Sequence, residues 1–208
     1  MNTAELRQLR PDLARICEWI APGSRILDLG CGDGVLLNHL ANTRNVSGYG
    51  LEIDPANIAA CVDAGVNVIQ ADVDEGLADF STGSFDYVVM TQALQALARP
   101  DRVLADMLRV GREAIVTFPN FGHWRVRMAI AGGRMPLTAA LPLQWYDTPN
   151  IHLCTVADFE DLCRSSGWQV LERALLDRRH RGGPAISWLP NLFSEVALYK
   201  LRRPATPG

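Results

Sequence analysis

The sequence predicts an α/β protein, in which a largely parallel β-sheet is covered by helices on both faces. Short apolar runs of strand length alternate with segments of helical periodicity along the 208 residues, and this alternation is typical of βα units. A glycine-rich turn at 30–34 separates the first strand from the helix that follows it. The chain is 48% hydrophobic and 21% charged, which indicates a single globular domain spanning 1–208.

The elements can be placed in order from local patterns. An amphipathic helix is predicted at about 11–20, with Leu13, Ile16, Cys17 and Ile20 on one face. A helix is predicted to start at Pro55 with Asp54 as its N-cap. Further helices are expected at 35–40, at 100–110 with Gly111 as the stop, and at 155–165. Strands are expected at 25–29, 46–54, 66–70, 84–90, 114–118, 168–176 and 194–201.

The turn after the first strand is predicted to approach a ligand. Gly30, Gly32 and Gly34 stand at alternate positions, and glycine lets the backbone adopt positive φ and come close to a bound group. A dinucleotide fingerprint would place its third glycine one residue later, where Val35 stands. The acid at Asp28 would also repel a pyrophosphate. A ligand that carries a positive charge or an amino group is therefore favoured.

The Asp-x-Gly-x-Gly-x-Gly pattern resembles the first motif of the class I S-adenosylmethionine-dependent methyltransferases. That resemblance implies a three-layer Rossmann-like fold, with a seven-stranded, mostly parallel sheet that has one antiparallel strand. Glu52 would accept from the ribose hydroxyls, Ile53 would pack on adenine, and Asp72 would accept from the adenine amino group. The cofactor, S-adenosylmethionine or S-adenosylhomocysteine, is thus expected to contact Asp28, Gly30, Cys31, Gly32, Gly34, Glu52, Ile53, Asp72, Val73, Thr91 and Gln92.

An insert at 119–154 separates the fifth strand from the late helix, where a minimal class I domain needs only a short connection. It leaves the edge of the sheet where ligands of open α/β folds bind, and long loops there usually carry function. Its Pro-Asn-Phe-Gly-His-Trp-Arg, Gly-Arg-Met-Pro and Trp-Tyr-Asp-Thr-Pro-Asn-Ile-His segments resemble the MetW family of methionine biosynthesis proteins. The resemblance covers about 10–202. It implies a bacterial cytoplasmic protein that works with a homoserine O-acyltransferase (MetX).

Two functions remain open on these observations. One is a non-catalytic activating or regulatory subunit, whose partner contacts would come from Trp124, Arg125, Arg127, Trp145 and Tyr146, since Trp, Tyr and Arg are favoured at interface hot spots. The other is an active methyltransferase on a small molecule. For that reaction the candidate bases are His123, His152 and Asp147, with Tyr146 as an orienting group.

Composition and motif content narrow the functional classes. The net charge of −3 gives no overall field for nucleic acid, and Thr91-Gln92-Ala93-Leu94 differs from the Asn/Asp-Pro-Pro-Tyr/Phe motif of base and amide methylation. No apolar run approaches the length of a membrane span. The five cysteines have no paired spacing and no C-x-x-C motif, which gives no support to a zinc ribbon or a redox motif. Reduced thiols, and a start without signal-peptide features, predict a cytoplasmic protein.

Overall fold

The computed structural model of the protein describes residues 10–138, 140–177, 183, 186 and 188–204. Within those ranges the strands are β1 Arg25–Leu29, β2 Ser47–Glu52, β3 Val68–Gln70, β4 Phe85–Thr91, β5 Gly111–Pro119, β6 Gln169–Leu176 and β7 Val196–Arg202. The α-helices are α1 Pro11–Trp19, α2 Val35–Arg44, α3 Pro55–Asp63, α4 Pro100–Val110, α5 Trp124–Ala131, α6 Val156–Ser165 and α7 Pro190–Phe193.

The strands form one seven-stranded sheet in the order β3-β2-β1-β4-β5-β7-β6. Strands β1 to β5 pair in parallel, whereas β7 runs antiparallel to both of its neighbours. The predicted fold class, including its single antiparallel strand, is confirmed. The strand order reverses between β1 and β4, and this is the position where open α/β sheets bind ligands at their carboxyl edge.

The hydrophobic core lies in two layers, one on each face of the sheet. Leu27 and Val88 belong to the cluster that also contains α4 and α6, while Ile26 and Val89 belong to the cluster with α1 and α2. Neighbouring residues of one strand point to opposite faces, so strands that are buried on both sides read as continuous apolar runs. None of the helices in the described ranges has the length and apolar character that a membrane span requires.

The predicted helix signals mostly hold, and the fifth strand is the main difference. Asp54 caps α3 by accepting from the N–H groups of Ala56 and Asn57. Strand β5 begins at Gly111 rather than near Ala114, because Gly111 ends α4 and starts the strand without an intervening loop. A Cβ at Gly111 would lie 2.7 Å from Cγ2 of Val88, so only glycine fits this tight passage.

Helix α5 is an element of the insert that the sequence pattern did not indicate. Its residues Met128 and Ile130 are exposed, so the apolar positions do not form the single buried stripe on which a periodicity argument depends. The four-residue helix α7 is also absent from the sequence expectations, because four residues are too few to show a period.

Asn120 fixes the start of the insert to the rest of the fold. Its side chain is almost completely buried, and its Nδ2 donates to the carbonyl oxygens of Asn191 (3.0 Å) and Ser194 (2.8 Å). Its Oδ1 accepts from the N–H groups of Gly122 (2.9 Å) and Val156 (3.2 Å). One amide therefore joins the end of β5, the insert, and the starts of α6 and β7.

Candidate functional site

The expected cofactor residues converge on the carboxyl edge of four adjacent strands. Leu29 at the end of β1 pairs with Leu51 of β2 and with Met90 of β4, and Glu52 pairs with Gln70 of β3. The segments that follow these strands therefore meet at one edge of the sheet. They contain the glycine turn, Glu52-Ile53, Asp72-Val73 and Thr91-Gln92.

The glycine turn adopts the backbone conformations that the sequence pattern requires. Gly30, Gly32 and Gly34 have φ values of 66°, 58° and 75°, which L residues with a Cβ rarely adopt. A Cβ at Gly34 would also lie 2.9 Å from Sγ of Cys61. In contrast, a Cβ at Gly32 would meet no atom within 4 Å, so the backbone at Gly32 faces open space where a ligand can approach.

The side chain of Cys31, within the glycine turn, packs into the protein interior. Its side chain is buried, and its Sγ lies 3.8 Å from Sγ of Cys61. A Cβ at Gly50 would approach this Sγ to 2.3 Å, so the glycine in β2 makes room for the thiol. Burial raises the pKa of the Cys31 thiol far above its ordinary value and keeps it protonated. Cys31 can therefore offer its backbone, rather than its side chain, to a ligand in the turn.

Glu52 lies beside the glycine turn and is held by backbone amides. Its Oε2 accepts from the N–H of Gly32 at 2.8 Å, and its Oε1 accepts from Ile53 and Asp54 at 2.8 and 2.9 Å. A carboxylate offers about four lone-pair positions, so these three bonds orient the group and leave capacity for a hydroxyl donor. This arrangement fits a ribose diol.

Asp28 is the strongest electrostatic feature of the pocket. The carboxyl group is 1% exposed, and its Oδ1 has no hydrogen-bond partner among the described residues. Burial, and secondly the charge of Glu52, raise its pKa from the ordinary 3.8 to about 7. A buried acid without a compensating partner is costly, and a cationic group placed beside it would remove that cost. The site thus fits the positively charged S-adenosylmethionine, which when bound would supply an activated methyl group.

A second buried acid borders the same edge, and the sequence analysis did not identify it. Asp12 in α1 is fully buried; its Oδ2 accepts from Arg10 at 3.1 Å and from Nε2 of Gln92 at 3.2 Å, while its Oδ1 lacks a partner. Gln92 has a φ of 54°, and such backbone strain in a non-glycine residue clusters at functional sites. The sequence pattern could have indicated that Asp12 is buried, because residues four apart lie on one helix face and Asp12 therefore shares a face with the buried Ile16 and Ile20.

The residues expected at the adenine end lie at the solvent side of the pocket. Ile53 is 58% exposed, so its side chain is free to pack on a flat ring. Asp72 is exposed and caps a short 3-10 helix at Val73–Glu75, with its Oδ1 accepting from the N–H of Asp74 at 2.9 Å. Val73 packs partly against the core. Thr91, at the other end of the pocket, closes β4 and is half-buried.

The family model described as "Methionine biosynthesis protein MetW" matches residues 10–201. This chain belongs to the MetW family. A relative from Rhodopirellula baltica, the bifunctional methionine biosynthesis protein MetXA/MetW, is 37% identical over 94% of this chain. A ubiquinone biosynthesis O-methyltransferase of Erwinia tasmaniensis is 30% identical over 55% of the chain. The chain spans 33% of the length of the first relative and 53% of the second.

Solved structures confirm the fold of this MetW-family chain. An S-adenosylmethionine dependent methyltransferase from Mesorhizobium loti superposes with a TM-score of 0.69, at 18% identity, covering 95% of this chain and 100% of that one. At this level of identity the likeness establishes the fold alone. The chain therefore has the Rossmann-like α/β fold of these methyltransferases.

The residues considered as catalytic bases in this MetW-family chain have different local surroundings. His123 is buried at the start of α5, where its Nδ1 accepts from the N–H of Arg125 at 3.4 Å; burial, and secondly the charge of Arg125, lower its pKa. His152 is exposed, with its Nε2 3.2 Å from the carbonyl oxygen of Ala98. Asp147 and Tyr146 are exposed on the insert loop. Both histidines therefore contact backbone groups, and neither is paired with an acid in the described contacts.

The insert presents an unusually apolar and aromatic surface to solvent. Trp145 and Tyr146 are 70% and 73% exposed and contact each other edge to face, with ring centroids 5.6 Å apart. Trp124 is 44% exposed and lies under the guanidinium of Arg125. Nearby in sequence, large exposed side chains continue with Met128, Met135, Leu137, Leu143 and Ile151. A concentration of exposed apolar residues of this kind is typical of interaction surfaces.

Arg127, the remaining candidate for partner contact, also has a structural role. It is exposed, but its Nε donates to the carbonyl oxygen of Gly122 at 2.6 Å, so it holds the loop before α5 as well as facing solvent. Across the described parts of the chain, no cluster of three or more His, Cys, Asp or Glu side chains could hold a metal ion.

Proposed function

We propose that this protein binds S-adenosylmethionine or S-adenosylhomocysteine and associates with a homoserine O-acyltransferase to support or regulate homoserine acylation. The observation that carries the partner is the relative named MetXA/MetW, in which two methionine biosynthesis functions share one polypeptide. When two functions are fused in one polypeptide in one organism, the separate chains that carry them in another organism often associate. The free cysteine thiols fit action in the reducing cytoplasm.

The cofactor part of the proposal rests on three buried carboxyl groups. Asp28 and Asp12 each keep one oxygen without a partner, and Glu52 is oriented by three backbone amides. Isothermal titration calorimetry with S-adenosylmethionine and S-adenosylhomocysteine tests this part. Saturable binding that is lost in Glu52→Ala would support it, and the absence of binding to either compound would refute it.

The partner part rests on the insert surface. Aromatic side chains that are more than two-thirds exposed, such as Trp145 and Tyr146, are costly to leave in water and are typical interface anchors. If S-adenosylmethionine binding changes the acyltransferase, its affinity must differ between the free and associated states. The relevant assay is the acyl-transfer rate of the reconstituted pair, titrated with S-adenosylmethionine.

A matched pair of variants separates the insert surface from general surface effects. Trp145→Ser should weaken co-purification with the acyltransferase by at least about tenfold, because a hot-spot tryptophan is worth about 2 kcal/mol or more. Trp188→Ser removes a tryptophan that is at least as exposed as Trp145, at 81%, but lies outside the insert; it should leave association unchanged if the insert, and not exposure alone, makes the contact. Equal effects of the two substitutions, or an acyl-transfer rate that does not respond to this protein, would contradict the proposal.

Methyl transfer to a small molecule is a second candidate, and the ubiquinone biosynthesis O-methyltransferase relative favours it. The test is transfer of a labelled methyl group from S-adenosylmethionine to small molecules of a cell extract. If transfer occurs, His152→Asn, His123→Asn and Asp147→Asn distinguish the three candidate bases. A labelled product that requires this protein would establish the activity, and its absence would leave the subunit function.

A further inference from the structure

A cavity of about 620 Å³ lies inside the insert, and the proposed cofactor pocket shares none of its lining residues. The turn after α5 forms one wall, and the loop from Leu141 to Leu153 forms the other. Its apolar lining includes Phe121, Leu141, Leu143 and Trp145. Its polar lining includes Gln144, Thr148 and Asn150, and a volume of this size is in the range of pockets that take small molecules.

The described lining of the cavity carries positive charge and no negative charge. Arg134 is the charged residue of the lining, and its side chain is exposed without a hydrogen bond or ion pair to any residue that the structure describes. The insert as a whole has three arginines and one aspartate, and is therefore net positive in a chain whose formal net charge is −3. A ligand of this cavity should accordingly be negatively charged where it meets Arg134.

The wall is also held in place, which favours a pocket that exists before its ligand arrives. The N–H groups of Ile151 and His152 both donate to the carbonyl oxygen of Gln95 at 2.9 Å, and the His152 ring contacts the carbonyl oxygen of Ala98. These bonds connect the loop to the segment just after β4. A site that is formed in advance loses less affinity to ordering its own chain.

From these observations we propose that the insert cavity binds a small amphipathic carboxylate, with its apolar body between Phe121 and Trp145 and its carboxylate on Arg134. An apolar neutral ligand would leave Arg134 unused, and a cation would be repelled by it. A guanidinium is well suited to a carboxylate because two parallel N–H donors match the two oxygens. Ligand binding in this cavity requires neither the acyltransferase nor S-adenosylmethionine, so this proposal and the proposed function can fail separately.

The experiment uses the full chain alone, with 1-anilinonaphthalene-8-sulfonate as a fluorescent apolar anion. Octanoate and 1-octanol, which share an alkyl chain and differ in charge, then compete for the site. We expect saturable dye binding, and displacement by octanoate at concentrations about tenfold lower than by 1-octanol, the size of effect that a charge-assisted hydrogen bond gives. Arg134→Gln should abolish this preference for octanoate.

Arg125→Gln is the matched control, because Arg125 is an exposed arginine of the same insert that does not line the cavity. It should retain the preference for octanoate. The proposal is overturned if the dye does not bind saturably, if octanoate and 1-octanol displace it equally well from the unmodified protein, or if Arg125→Gln and Arg134→Gln lose the preference alike.

Discussion

The raised pKa of Asp28 predicts that S-adenosylmethionine binding strengthens with pH. Only the ionised carboxylate attracts a cation, and burial with the nearby charge of Glu52 raises the pKa of Asp28 to about 7 in the free protein. At pH 6 about one tenth of the molecules have this carboxylate ionised, and at pH 7.5 about three quarters do. The observed affinity should therefore rise about eightfold over this range, which corresponds to about 1.2 kcal/mol.

Calorimetric titrations at several pH values measure this change, and buffers of different ionisation enthalpy report the proton that Asp28 releases on binding. The ligand's own α-amino group titrates near pH 8 and could add a pH dependence of its own. The Asp28→Asn variant serves as the control, since it keeps the shape of the side chain but does not titrate. It should bind more weakly at pH 7.5, by about tenfold or more, because a charged hydrogen bond is lost.

Two results would refute this reasoning. If the affinity of the unmodified protein is flat between pH 6 and 7.5, Asp28 does not meet a cation. If Asp28→Asn has the same pH dependence as the unmodified protein, the titrating group is elsewhere, in the ligand or in another residue such as His123. The prediction concerns binding alone, so it holds whether or not methyl transfer occurs.

Three further predictions concern stability. Without ligand, the free energy of unfolding should fall by at most about 4 kcal/mol as the pH rises from about 4 to about 7. The reason is that folding raises the pKa of Asp28, so the native state holds this proton more tightly than the unfolded state does. Urea titrations across this pH range test the prediction, and Asp28→Asn should remove this part of the decline. Asn120→Ala should lower the free energy of unfolding by about 2–4 kcal/mol in the same titrations, since it leaves the buried N–H groups of Gly122 and Val156 without an acceptor. The exposed Asn42→Ala is the control. A loss below about 1 kcal/mol for Asn120→Ala, no larger than that of the control, would show that the Asn120 side chain does not hold these segments together. Gly34→Ala should destabilise the protein by about 1–3 kcal/mol more than Gly65→Ala. Both glycines have positive φ, but only at Gly34 would the added Cβ contact Cys61. If the two substitutions lower the thermal unfolding midpoint equally, the contact with Cys61 does not explain the loss.

The local pattern was enough to identify the sheet and its glycine turn. Strands that are buried on both faces must be apolar along their length, and a backbone at positive φ next to a ligand favours glycine. Both constraints act on a few consecutive residues, so they are visible in the sequence. The same is true of helix starts such as Asp54-Pro55, where the cap is adjacent to the groups that it satisfies.

The parts of the site that escaped prediction depend on contacts distant in sequence. Asp12 and Gln92 meet at 3.2 Å although α1 and β4 are far apart along the chain. The sequence predicts Gly111 only as the end of a helix. Its role at the start of β5 depends on Val88 in the neighbouring strand. Helix α5 exposes apolar residues instead of burying them, so its pattern does not distinguish it from a loop.

The sequence by itself determined the fold class, the family and the residues that meet at the carboxyl edge of the sheet, because each follows from short motifs whose chemistry is local. Only the tertiary structure decided how those residues act. It buried Asp28 and Asp12 with an unpaired oxygen each, exposed Trp145 and Tyr146, and formed an open cavity beside Arg134. Burial, the pKa of an acid and the shape of a cavity depend on which distant segments pack around a residue, and packing is a property of the whole fold.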